Sequence, residues 1–174
     1  MTFPPISKLN GLPREDFLEA VNSLFEPAPP LAKILYEARP YLSYSGLLDF
    51  AQYVIDHDLS EEDRILVVNA HPRIGAPPQG LSAHSIKEQG YDKKPTPEEE
   101  QVNGRLGELN EEYEKKYGFK FVVFVNGRPR KEIIPVLEKR LQVGTKESEL
   151  KLGLSEMLII ARDRLRKLQT PAKL

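Results

Sequence analysis

Apolar residues recur every three or four positions through almost every long segment of this chain, a period that a helix satisfies and a strand does not. The longest stripe, Leu150, Leu154, Met157, Leu158, Ala161, Leu165 and Leu168, predicts a terminal helix with one face in the core. The same spacing puts Phe17, Val21, Leu24 and Phe25 on a helix opened by Pro13, and Leu31, Ile34, Leu35 and Ala38 on one that Pro40 ends. Leu47, Leu48, Ala51, Val54 and Ile55 repeat the pattern. Ser60 and Asp63 form a capping-box signature opening the segment Glu61 to Ala70, whose run Ile65, Leu66, Val67 and Val68 is dense enough to be buried. Thr96, Pro97 and Glu99 supply the N-cap, first position and box partner of a helix through Val102, Leu106, Leu109, Tyr113 and Tyr117, with Gly118 just past its end. Ile134, Leu137 and Leu141 mark a further helix. At 174 residues the chain suits one domain, since one core of this size buries roughly two thirds of the unfolded surface.

Two stretches break the period. Phe121-Val122-Val123-Phe124-Val125 followed by Asn126-Gly127 reads, locally, as a buried strand and a tight turn. His71 to Leu81, HPRIGAPPQGL, holds three prolines and two glycines, so a helix cannot cross it and an irregular loop of unusual length is expected. A second punctuated stretch runs from Gly90 to Pro97.

Composition narrows the function. The 25 basic and 26 acidic residues are well mixed, leaving no broad basic face for nucleic acid or an anionic membrane. No stretch approaches the roughly 18 apolar residues of a membrane span, and the first residues lack the pattern of a secretory signal. With no cysteine, thiolate chemistry is excluded and only histidine and carboxylates remain as metal ligands. The chain ends Ala172-Lys173-Leu174, a small-basic-Leu variant of the peroxisomal Ser-Lys-Leu signal, so a peroxisomal location is expected, with a cytoplasmic one as the alternative.

Three groups of residues could carry chemistry. His71 precedes proline, which pushes it out of the helical region and turns its imidazole toward the loop. The partial negative charge of a helix C-terminus favours the imidazolium there, placing His71 to donate a proton near neutral pH; a helix-capping histidine is the plain alternative. His57 and His84 lack the spacing of metal ligands, and no metal site is expected. Ser85-Ile86-Lys87-Glu88-Gln89 is a capping box that starts a helix, yet its free amides, hydroxyl, carboxylate and amide also suit a polar, anionic ligand. Arg164 lies at the border of the terminal apolar stripe, where a guanidinium either stays in solvent or turns inward to hold a carboxylate; Arg162 and Arg166 compete for that role.

LFEPAPPLA, RPYLSYSGLLDFA, NAHPRIG, SIKEQ, LNEEYEKKYGFKFVVFVNGR, EIIPVLEKRL and IARDRL, in this order and over about residues 12–168, resemble the 2-oxo-4-hydroxy-4-carboxy-5-ureidoimidazoline (OHCU) decarboxylase family, in its fungal form. The resemblance implies an all-α, dimeric bundle, and so a short extended or helical piece at Phe121 to Val125 in place of a sheet strand. It implies cofactor-free decarboxylation to (S)-allantoin in urate degradation, with His71 and Glu88 catalytic. Pro72, Ser85, Ile86, Lys87, Gln89, Phe121, Val122, Val123, Phe124, Val125 and Arg164 would contact substrate. The partners expected are that small molecule, a second copy of the chain and, through Ala172, Lys173 and Leu174, a peroxisomal import receptor. The rivals are a helical scaffold protein without catalysis and a His/carboxylate metal hydrolase.

Overall fold

In the computed structural model, which describes residues 3–26, 28–75 and 96–169, the terminal stripe becomes the longest helix and the one on which much of the bundle packs. The described residues form eight helices and no strand: α1 (Ile6–Asn10), α2 (Arg14–Leu24), α3 (Pro29–Glu37), α4 (Tyr44–His57), α5 (Glu61–Asn69), α6 (Pro97–Tyr117), α7 (Arg130–Val143) and α8 (Lys146–Gln169). Helix α8 lies against α2, α4, α5 and α6, while α6 and α7 form an extensive pair. Leu150, Leu154, Met157, Leu158, Ala161 and Leu165 are all buried, and Gly153 lets α8 approach α5 so closely that a Cβ there would sit 3.1 Å from Val68 Cγ2. They join Phe17, Val21, Leu24, Leu35, Leu47, Leu48, Val54, Leu106 and Leu109 in one continuous core, each large side chain contributing roughly 1.5–3 kcal/mol by leaving water. No helix among the described residues is long and apolar enough to cross a membrane.

The helix boundaries follow local chemistry. Ser43, Ser60 and Thr96 each accept a backbone N–H of the first turn, and Thr96 with Glu99 closes a reciprocal capping box. Gly118 adopts φ 86° at the end of α6, the left-handed conformation that terminates a helix at low cost only for glycine. One expectation needs correction, and one helix is new. Leu66 is 54% exposed, so only Val67 and Val68 of its run are fully buried; α5 packs one face against α3 and α8 and turns the other to solvent. The five-residue α1, which no sequence signal marked, buries Leu9 in the core.

Phe121 to Val125 is neither helix nor strand and pairs with no strand among the described residues, which overturns its local reading as a sheet strand. Side chains replace the ladder. The Lys120 N–H donates to Asn69 Oδ1 (2.9 Å), Arg140 Nη1 donates to the Val122 carbonyl (2.8 Å), and Arg128 donates to the carbonyls of Phe124 and Val125 (2.6 and 2.9 Å). Asn126 and Gly127 do form the turn, with φ 52° and 72°, the left-handed pair that Asn-Gly favours.

Arg140 also donates to Glu149 Oε1 at 2.7 Å, which accepts from the Tyr113 hydroxyl at 2.9 Å, and its guanidinium lies 4.5 Å from the Phe121 ring centre. This buried knot ties α6, α7 and α8 to the segment Phe121 to Val125. Gly144 makes room for it: a Cβ there would fall 2.6 Å from Glu149 Cγ and 2.8 Å from both the Arg140 carbonyl and the Tyr117 hydroxyl. Because Gly144 has an ordinary φ of −78°, its requirement is for space and not for backbone freedom. Gly144→Ala is therefore expected to lower stability by about 1–3 kcal/mol, the cost of overpacking, measured by urea denaturation. An unchanged midpoint would show that the knot has slack.

Candidate active site

His71 sits immediately beyond α5, where Pro72 stops the helix, and the last turn tightens so that the His71 N–H reaches the Val68 carbonyl at 3.3 Å. The chain from Arg73 to Gly75 is pinned to α6. Ile74 is buried, Asn110 Nδ2 donates to its carbonyl at 3.0 Å, Arg73 pairs with Glu114, and Gly75 at φ 81° lies against Leu106, where a Cβ would come within 3.1 Å. On the other side Asn69 holds Lys120 and hence the start of the segment Phe121 to Val125. Asn69 and Asn110 were not singled out from the sequence, since nothing local says which carbonyl or N–H an asparagine will meet.

The imidazole of His71 is 5% exposed, and its Nε2 is buried with no hydrogen-bond partner among the described residues. A polar group in that condition costs about 1–3 kcal/mol if nothing else satisfies it, so it marks a position kept for a ligand better than one serving the fold. Burial pushes its pKa down from the ordinary 6.5 to about 4, the Arg164 charge pushes the same way, and the Glu26 carboxylate opposes both. The ring is therefore neutral at pH 7, and the expected imidazolium is corrected. A helix end offers a cation at most about 2 kcal/mol, less than the cost of moving that charge out of water into a site shared with a guanidinium.

Among the competing arginines the structure places Arg164 inside. It is 3% exposed, with Nη1 donating to the Leu24 carbonyl (3.1 Å) and Nη2 to Glu26 Oε1 (3.2 Å). Arg162 lies on the surface against Asp49, and Arg166 against Asp163. Glu26, 2% exposed, is the acid that sequence reasoning passed over. Its signal was there: a lone carboxylate between Phe25 and Pro27, in a segment otherwise apolar from Leu24 to Leu31. His71, Arg164 and Glu26 thus come together from the ends or edges of α5, α8 and α2.

Phe121, Val122 and Val123 are buried, and Phe124, Val125 and Pro72 half-buried. His57 is exposed and stacked on Tyr53, with ring centres 4.5 Å apart. No group of three or more ligating side chains among the described residues is arranged to hold a metal ion. His84, Ser85, Ile86, Lys87, Glu88 and Gln89, and the terminal Ala172, Lys173 and Leu174, lie outside the described residues.

Known proteins are similar to this chain in both fold and sequence. The family model described as OHCU decarboxylase matches residues 10–166. The chain belongs to the OHCU decarboxylase family. It is similar to the 2-oxo-4-hydroxy-4-carboxy-5-ureidoimidazoline decarboxylase of Halalkalicoccus jeotgali, at 28% identity over 98% of this chain and 95% of that protein. It also resembles the uric acid degradation bifunctional protein of a Bacillus species, at 26% identity over 94% of this chain but 32% of that longer protein. The fold matches a crystal structure of an OHCU decarboxylase determined in the presence of (S)-allantoin, with a TM-score of 0.64, 23% identity, and 81% of this chain and 91% of that one covered. That match extends the helical bundle read from the apolar period to a solved OHCU decarboxylase fold.

Proposed function

We propose that the protein decarboxylates OHCU to (S)-allantoin in urate degradation, and the observation that carries this reading is the buried, neutral Nε2 of His71, without a hydrogen-bond partner among the described residues, beside the buried cation Arg164. The substrate carries a hydroxyl and a carboxylate on one ring carbon, next to a ring C=N bond. Loss of CO2 moves the electron pair through that bond to the ring nitrogen, which takes up a proton, so the chemistry asks for no bound electron sink. The hydroxyl proton must then reach the neighbouring carbon while the C–O bond becomes a carbonyl. A neutral imidazole suits this relay, since it can accept the hydroxyl proton and deliver it from one face, giving a single enantiomer. An imidazolium would have had no acceptor for it.

In this reading Arg164 holds an anionic or carbonyl group of the substrate. Glu88 hydrogen-bonds ring or ureido N–H groups. Ser85, Ile86, Lys87 and Gln89 bind the substrate, which Pro72 and Phe121 to Val125 enclose. The protein works as a homodimer in peroxisomes, addressed by Ala172, Lys173 and Leu174 through the import receptor, and such an address suits a fungal cell. A scaffold protein gives no account of a histidine buried beside an arginine with a ring nitrogen that has no partner among the described residues. The test is to add the protein to freshly generated OHCU and follow circular dichroism: optically active (S)-allantoin should form well ahead of spontaneous decay, and a signal no faster than the protein-free control would sink the assignment.

A further inference from the structure

The ion pair between Glu26 and Arg164 is buried on both sides, each side chain being 2% exposed. A buried pair of this kind adds little to stability, because the cost of taking two charges out of water roughly cancels their attraction. Its placement is more informative. Among its contacts, the guanidinium donates to two acceptors from one short stretch, the Leu24 carbonyl and the Glu26 carboxylate, at the end of α2 and 140 and 138 residues away in sequence. Both charges are close enough to His71 to act on its imidazole. Glu26 thus contributes to the orientation of Arg164 and to its net pull on an anion.

We propose that Glu26 is a positioning residue for the decarboxylation, holding the Arg164 guanidinium in place and tempering its grip on the substrate's carboxylate. The proposal rests on the reading of Arg164 as a substrate-holding group. The physical reason lies in the reaction. The carboxylate charge is lost on the way to CO2, so a bare, fully available arginine would stabilise the substrate more than the transition state and raise the barrier between them. Sharing the guanidinium with Glu26 keeps enough attraction to orient the substrate and limits the part that must be given up as CO2 leaves.

Glu26→Gln keeps an oxygen acceptor for Arg164 and removes the charge. The expected result is a characteristic split: KM and kcat both fall, kcat by about 10-fold, the lower end of the effect of groups that orient an active-site side chain. A merely structural Glu26 would lower kcat in proportion to the folded fraction and leave KM alone, and that result would overturn the proposal. Arg164→Met and the double variant complete the cycle. Glu26→Gln should add nothing to the loss already caused by Arg164→Met, whereas additive losses would mean that Glu26 does not act through Arg164. If Arg164→Met itself shows wild-type kinetics, the substrate-holding reading fails and the proposal with it; if it is crippled while Glu26→Gln behaves as wild type, the proposal alone fails. Should Glu26→Gln not fold, Glu26→Asp, which keeps the charge but shortens its reach, takes its place in the cycle with the same split expected in smaller measure.

Discussion

His71→Asn should fold and lose about 10²–10⁴-fold in kcat/KM, the contribution of a positioned proton-transfer group. Asparagine can still hydrogen-bond a substrate from this position, but its amide neither accepts nor returns a proton at neutral pH, so binding survives and the relay does not. The same variant carries a second, independent readout. In the wild type the folded pKa is depressed to about 4 from the ordinary 6.5. Between those values the unfolded chain takes up a proton that the folded one refuses, so stability is full above pH 6.5 and declines as pH falls toward 4, by on the order of 3 kcal/mol. His71→Asn removes that term, and its melting temperature should fall less steeply across the window. Near-wild-type turnover would remove His71 from the chemistry, and parallel acid profiles would remove it from the buried neutral state.

Arg164→Lys should cost on the order of 1.5–3 kcal/mol in transition-state binding, seen as a fall in kcat/KM larger than any loss of stability. The guanidinium spans the Leu24 carbonyl and Glu26 Oε1 at once, and a planar fork that does so is held in a fixed orientation. An ammonium is a point donor on a flexible stem, so it can keep the charge near Glu26 but not that orientation. Arg162→Lys is the matched control: Arg162 meets Asp49 at the surface and is 39% exposed, where an ion pair contributes about 0–1 kcal/mol, and both kinetics and melting should be unchanged. Equal losses from the two substitutions would mean that the orientation of Arg164 does not matter.

Much of this protein was legible along the chain because the forces that shape a helix act within a turn. The 3.6-residue apolar period, the caps at Ser60 and Thr96, Pro97 at a helix start and Gly118 at a helix end all concern bonds to residues three or four positions away, and each was found where its sequence placed it. The Asn126-Gly127 turn belongs to the same class. His71 was picked out for a local reason too, the proline after it.

The sequence alone therefore determined the helical bundle and pointed to His71 and to the family. Tertiary structure decided the rest, since it turned on neighbours far away in the chain. Phe121 to Val125 has strand composition, yet it pairs with no strand among the described residues, its carbonyls meeting Arg128 and Arg140 and its entry Asn69. Arg162 and Arg164 differ by about 200° around one helix, and only the packing of α8 on α2 says which of them meets Glu26. The charge state of His71 was misread because burial and a guanidinium outweigh a helix end, and neither can be seen from the residues beside it.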